Sequence, residues 1–203
     1  MELHTCAVTG HRPTRFKWKY NENNNGCKRL KKRMHDQFIV LYEKGVRRFL
    51  VGGGLGVDQW AGEIILRLKE QPEYSDIELV VVLPFPGHDE QWDTRSREWL
   101  AFLIRHSAEC ITVGKGAGRE NYVQRNCYMA DHADCLLAVY DGERNPRSGT
   151  MQTVNYASSK MPIVLIHPDT AAVSFSGQMM GVRKNGNSML TIHSLLPFTD
   201  DKI

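Results

Sequence analysis

"FLVGGGLGVDQWAGE", Phe49 to Glu63, is the stretch on which the reading of this chain turns. An apolar run ends in three consecutive glycines, passes a fourth, and enters a helical pattern. That is a strand feeding a helix across a corner stripped of Cβ atoms. Gly52, Gly53, Gly54 and Gly56 leave room for a group to approach the backbone, and the helix beyond aims its free N–H groups at the same place. A phosphate suits such a corner, although a tight turn uses glycines as well. The order is neither G-x-G-x-x-G nor G-x-x-x-x-G-K-[ST], so it matches neither the common dinucleotide fingerprint nor the Walker loop. Asp58, in the first helical turn, is placed to cap N–H groups or to hold a ribose hydroxyl.

The same strand-to-helix alternation extends in both directions. Apolar runs at Leu3–Val8, Arg47–Gly52, Ile77–Leu83, Glu109–Val113, Asp134–Tyr140 and Pro162–His167 read as strands. Helical patterns fill Cys27–Gly45, Val57–Glu70, Gln91–His106, Glu120–His132 and Gly149–Lys160, the first with Leu30, Met34, Phe38 and Leu41 on one face. The strands are short, continuous and rich in Val, Ile and Leu, as strands covered on both faces are. Regular alternation implies right-handed crossovers and a doubly wound, mostly parallel sheet flanked by helices. After His167 the alternation stops, so residues 1–167 read as a nucleotide-binding α/β domain and 168–203 as its C-terminal extension or tail, either a hairpin or a loose segment.

The bulk numbers agree with one such domain. The chain has 203 residues, 41% of them hydrophobic, with a mean hydropathy of -0.41. No run approaches the ~18 to 20 apolar residues of a membrane span, and the first residues carry no secretory pattern, so a cytoplasmic location is expected. The five cysteines are odd in number and match no zinc spacing; Cys6, Cys110 and Cys135 lie in or beside apolar runs, where core roles are expected. Net charge is only +3, yet Arg12 to Arg48 holds twelve Lys or Arg against three acids, densest at "KRLKKR", Lys28–Arg33. Such a run tracks a phosphate backbone or simply solvates a helix face.

In a doubly wound sheet the ligand lies outside the carboxyl ends of the strands, at the switch in strand order. Four corners arrive there. "TGHRP", Thr9–Pro13, offers a turn at Gly10 with His11 and Arg12 over the strand end, where Arg suits a phosphate or carboxylate. The glycine corner is the second. The third carries Arg125 and Asn126, polar positions within a helix whose role the residues alone leave open. In the fourth, "NPRSGTMQTVNYA", Ser148 or Thr150 caps a helix and Gly149 permits close approach.

"AVTGHRP", "GGGLGVDQWAGE", "PFPGHDEQW", "YVQRN", "ADCLLAVYDG" and "SGTMQTVNYA", in that order over about Thr5 to Ile166, resemble the DUF1273 (YpsA-like) branch of the SLOG superfamily. The resemblance implies a Rossmann-like fold and a nucleotide, NAD or ADP-ribose-like ligand rather than a fixed cofactor. It also implies pairing of two copies through helices. More distant relatives include the Lonely Guy phosphoribohydrolases and DNA-processing protein A.

The Lonely Guy enzymes carry P-G-G-x-G-T-x-x-E with a catalytic Glu. Aligning Gly149–Thr150 with their Gly-Thr places Thr153 at that Glu, and Asn126 replaces the Lys that follows their Arg, here Arg125. Their glycine corner is G-G-G-x-x-G, whereas Gly56 comes one residue earlier. A threonine is no carboxylate at neutral pH, so the usual acid is missing; Asp58, Glu63, Asp141 and Glu143 are the substitutes in reach. The leading expectation is therefore a small-molecule binder acting as a sensor or carrier. Arg12 and Arg125 neutralise phosphate, Asp58 and Asn126 recognise ribose or base, and Trp60 or Trp92 supplies an aromatic wall or packs. The alternatives are a hydrolase of nucleoside monophosphates or ADP-ribose-like compounds, and a single-stranded DNA-binding module resting on Lys28–Arg33.

Overall fold

The computed structural model describes residues 3–143 and 148–176. The turn at Asn145–Arg147, and everything read from residues 177–203, lie outside the described residues. Among those described, no helix is long and apolar enough to cross a membrane.

The elements run β1 (Thr5–Gly10), α1 (Asn25–Glu43), β2 (Arg48–Val51), α2 (Val57–Lys69), β3 (Glu78–Leu83), α3 (Thr94–His106), β4 (Glu109–Thr112), α4 (Arg119–Asp131), β5 (Cys135–Val139), α5 (Gly149–Ala157), β6 (Ile163–Ile166) and β7 (Val173–Ser176). Single 3₁₀ turns occupy Pro13–Arg15 and Pro72–Tyr74. The strands form one sheet in the order β4-β3-β2-β1-β5-β6-β7. β1 to β6 are parallel, and β7 returns antiparallel on β6, with Val164 opposite Phe175. This is a Rossmann-like α/β fold.

The apolar strand runs are continuous because each face meets helices. Along β1, Cys6 and Val8 enter the core beneath α1, α2 and α3, while Ala7 enters the core beneath α4 and α5. Leu137 and Leu136 divide the same way on β5. On the α1 side, Phe38 packs edge-on against Phe49 at 5.2 Å between ring centroids.

Several element ends shift from the sequence reading for identifiable reasons. The α1 helix begins at Asn25 because the Asn24 side chain accepts the Gly26 N–H. Asp93 caps α3 by accepting from Ser96 N and Oγ, at 3.1 and 2.6 Å, so the helix starts at Thr94 rather than Gln91. β1 extends to Gly10 because Thr9 and Gly10 pair with Ala138 and Val139 of β5. Gly10 is thus a strand residue rather than a turn, and its missing Cβ makes way for Val57, which would lie 2.6 Å from it. Cys110 is exposed rather than a core thiol, because β4 is the edge strand.

The central pair is pinned at its start: Asp134 Oδ2 accepts from the backbone N–H groups of both His4 and Thr5, each at 2.9 Å. Asp134→Ala leaves two donors at the mouth of β1 without their charged acceptor and is expected to cost about 1.5–3 kcal/mol. Urea unfolding of the two proteins side by side measures it.

Candidate functional site

The chain leaves β1 toward β2 on one side and returns through β5 on the other, so the order switches between β1 and β5. A cavity of about 430 Å³ opens there, outside the carboxyl ends of these strands. Its walls are the end of β1 and the turn after it, the corner before α2, one face of α4, and the first turns of α5.

Arg125 organises the site. Its side chain is 9% exposed and lies along the cavity. Nη1 sits 3.4 Å from Asp58 Oδ2, a long contact, and Nε has no hydrogen-bond partner among the described residues. Asp58 Oδ2 also accepts the Gly54 N–H at 3.0 Å. Burial pushes the Arg125 guanidinium down, with Asp58 opposing the shift. Burial likewise pushes the Asp58 carboxyl up, against the pull of Arg125 and of the Gly54 N–H. Each charge is therefore only partly compensated by the other.

The glycine corner answers largely to this pair. A Cβ on Gly52 would stand 1.3 Å from Arg125 Nη1, so the guanidinium occupies the space that a side chain would fill. Gly53 and Gly56 have φ of +68° and +88°, the left-handed region that glycine enters without strain. Gly53 lies against Leu83 and Leu100, and Gly56 against Pro13 and the His11 carbonyl. Gly52, Gly53 and Gly56 do not line the cavity, whereas Gly54 does. The Asp58 carboxylate, in the first turn of α2, ties down the corner before the helix through the Gly54 N–H, and no side chain caps the helix itself.

The start of α5 is different. Ser148 caps it by accepting the Met151 N–H at 3.2 Å. The N–H groups of Gly149 and Thr150 belong to the helix end that carries partial positive charge, and both residues line the cavity. Among the described residues, a Cβ on Gly149 would meet only Asn126 Nδ2, at 3.6 Å. The Thr153 hydroxyl donates back to the Gly149 carbonyl at 2.9 Å.

The structure thus brings Thr9, Gly10, His11, Arg12, Gly54, Asp58, Arg125, Asn126, Ser148, Gly149 and Thr150 together around one cavity. Among the described residues, four arginines line it, Arg12, Arg15, Arg119 and Arg125, against the carboxylate of Asp58. Arg15 is tied to Asp141 and Glu143, at 3.0 and 2.5 Å. No carboxylate of the described residues pairs with Arg12 or Arg119. Of the four acids weighed as hydrolytic groups, Asp58 alone borders the cavity; Glu63 is bound to Lys31 and Arg67. The basic run lies outside as well: Lys31 pairs with Glu22 and Glu63, and Arg29 donates to the Asp169 carbonyl.

Neither tryptophan walls the cavity. Trp60 is a core residue whose Nε1 donates to Glu22, and Trp92 packs against His88. The aromatic ring at the site is Tyr122, 5.9 Å from the Arg12 guanidinium. Sequence reading passed over Tyr122 and Arg119. A signal existed, because Tyr122, Arg125, Asn126 and Met129 recur at helical spacing and share the cavity face of α4.

Two buried imidazoles, His11 at the cavity and His88 outside its lining, give the fold a pH signature. His11 Nε2 lies 3.3 Å from Asp141 Oδ1 without the geometry of a hydrogen bond, and His88 Nε2 is also without a partner. Burial lowers both from the ordinary value of 6.5, although Asp141 and Asp89 oppose the shift. The unfolded chain then binds protons that the folded one does not, so stability falls as pH drops through about 6.5. Urea midpoints at about pH 7.5 and 5.5 are expected to show this loss, and His11→Asn is expected to reduce the slope.

Comparison with known proteins places the chain in a family. Residues 6–171 match the model of the YspA SLOG family. UPF0398 proteins of two Bacillus cereus strains are 32% and 33% identical over 144 and 145 residues, spanning 70% of this chain and 77% of theirs. Among solved structures, DNA processing protein A from Streptococcus pneumoniae superposes with a TM-score of 0.53 at 16% identity, over 81% of this chain and 50% of that one. The Helicobacter pylori protein of the same name, whose structure concerns its single-stranded DNA binding mode, gives 0.52 at 16% identity over 81% and 65%. At that identity the likeness is one of fold, and the chain spans only about half to two thirds of those proteins. The family match and the bacterial relatives together establish that this chain belongs to the YspA SLOG family.

Proposed function

We propose that this chain binds a nucleotide or nucleotide-derived phosphate ligand in the cavity at the β1/β5 switch point and serves as its sensor or carrier. The observation that carries this reading is Arg125: a buried guanidinium on the cavity wall, with one long ion pair and an unpartnered Nε. A buried cation so weakly matched gains from an anion that completes its hydrogen bonds. The start of α5 adds N–H groups and dipole, and Arg12 adds charge at the rim. In this arrangement Asp58 accepts from ribose hydroxyls and Asn126 contacts the base. NAD and ADP-ribose-like compounds fall in the same ligand class.

The test is calorimetric titration with ribose 5-phosphate and with AMP. Arg125→Ala is expected to weaken both at least tenfold, since a charge-assisted hydrogen bond contributes about 1.5–3 kcal/mol. Gly52→Ala keeps the charge but displaces the guanidinium, and the same loss is expected. Gly149→Ala has room in the protein itself, so weakened binding at unchanged stability would place phosphate against that backbone. Unaltered affinity in all three variants would refute the reading. The same mixtures report turnover: base release that vanishes in Asp58→Asn would make the protein a hydrolase.

A second reading draws on the Helicobacter pylori relative and on the four arginines beside Tyr122, which suit a nucleic-acid backbone with a base stacked on the ring. It predicts retardation of an oligothymidylate with steep salt dependence, lost in Arg12→Ala and Arg119→Ala. No retardation at low salt would remove it.

A further inference from the structure

A second, smaller cavity of about 170 Å³ adjoins the first. It is lined by Val123, Asn126, Cys127 and Tyr156 together with Gln152 and Thr153. Four of these residues, Val123, Asn126, Gln152 and Thr153, border both cavities, so the two lie side by side along the α4/α5 pair.

The two parts differ in chemistry. The larger is ringed by arginine and a helix N-terminus. The smaller is walled by a valine, a thiol and a tyrosine ring whose hydroxyl is turned to Asp131, at 3.0 and 2.9 Å. At the junction stands Asn126, half-buried, with no hydrogen bond from its side-chain amide to any described residue. An amide offers one donor side and one acceptor side in a plane. An apolar slot with such an amide at its entrance fits a flat heterocycle that presents an adjacent donor and acceptor, and fits a sugar or a second phosphate poorly.

We infer that the α4/α5 slot is the base subsite of the ligand, with Asn126 reading the edge of the base and Val123, Cys127 and Tyr156 enclosing its faces. This rests on the phosphate reading of the larger cavity and adds a direction: the ligand lies with its phosphate toward Arg125 and its base away from β1, between the two helices. The ligand class narrows to nucleotides whose base remains attached, which excludes free sugar phosphates as the physiological occupant.

Cys127 is the natural reporter, and Cys110, exposed on β4 and outside both cavities, is its internal control. The full-length protein is alkylated with iodoacetamide, and the rate at each cysteine is followed by peptide mass spectrometry. The additions are AMP, GMP, CMP or UMP, and separately ribose 5-phosphate. At least one nucleotide is expected to slow Cys127 at least fivefold at saturation without slowing Cys110, while ribose 5-phosphate leaves Cys127 unchanged. As a second measurement, Cys127→Trp fills the slot. It is expected to bring the affinity for that nucleotide down to that of ribose 5-phosphate, whose own binding stays as it was and reports a folded protein.

Nucleotides that bind without shielding Cys127, and with affinity indifferent to Cys127→Trp, would overturn the base subsite while leaving the phosphate reading in place. Protection by ribose 5-phosphate equal to that by nucleotide would overturn it too. Failure of all these compounds to bind would remove the phosphate reading and this inference with it.

Discussion

The contact on which the site depends is the seating of the Arg125 guanidinium in the space where Gly52 has no side chain. A cation taken out of water needs a partner, and here the partner is Asp58, held in turn by the Gly54 N–H. One corner thus positions both charges: Gly52 by giving up volume, Gly54 by donating, Asp58 by accepting. The match is incomplete, with the ion pair at 3.4 Å and Nε unpartnered. An under-compensated buried charge costs stability, and proteins keep such charges where a ligand completes them.

The fold makes that seating feasible. Because the strand order switches between β1 and β5, the corner before α2 and the face of α4 converge above the same strand ends. Val57 packs into the space left by Gly10 and brings the start of α2 close over β1. The α5 helix enters from the other side with Gly149 and Thr150 in its first turn. Two helix N-termini therefore face one cavity in opposite states. The first turn of α2 carries the Asp58 carboxylate, and the first turn of α5 carries Gly149 and Thr150 and no acid.

Much of this was legible in the sequence. Strands buried on both faces announce themselves as unbroken apolar runs, so the six parallel strands and their helices follow from pattern alone. The β7 strand did not, because it is a four-residue edge strand with three of its residues exposed, and no alternation against a core marks it. The glycine corner was legible as a place of close approach but not as to what approaches. The occupant of the Gly52 space comes from α4, far along the chain, and no local pattern carries that information. Arg125 and Asn126 are visible as polar positions within a helix, but their direction requires the topology. Trp60 and Trp92 pack, one of the two roles open to them, and the aromatic residue at the site is Tyr122, which is marked only by its helical spacing from Arg125.

The central claim is that Arg125 awaits an anion, and its Nε–H group can be watched directly. In a ¹⁵N-labelled protein the arginine Nε–H resonances are resolved, and Arg125→Lys identifies the one in question. The account predicts that adding AMP shifts the Arg125 Nε–H signal and slows its exchange with water as the unpartnered donor acquires an acceptor. An Arg125 signal that stays in place and exchanges at the same rate while AMP binds would contradict it.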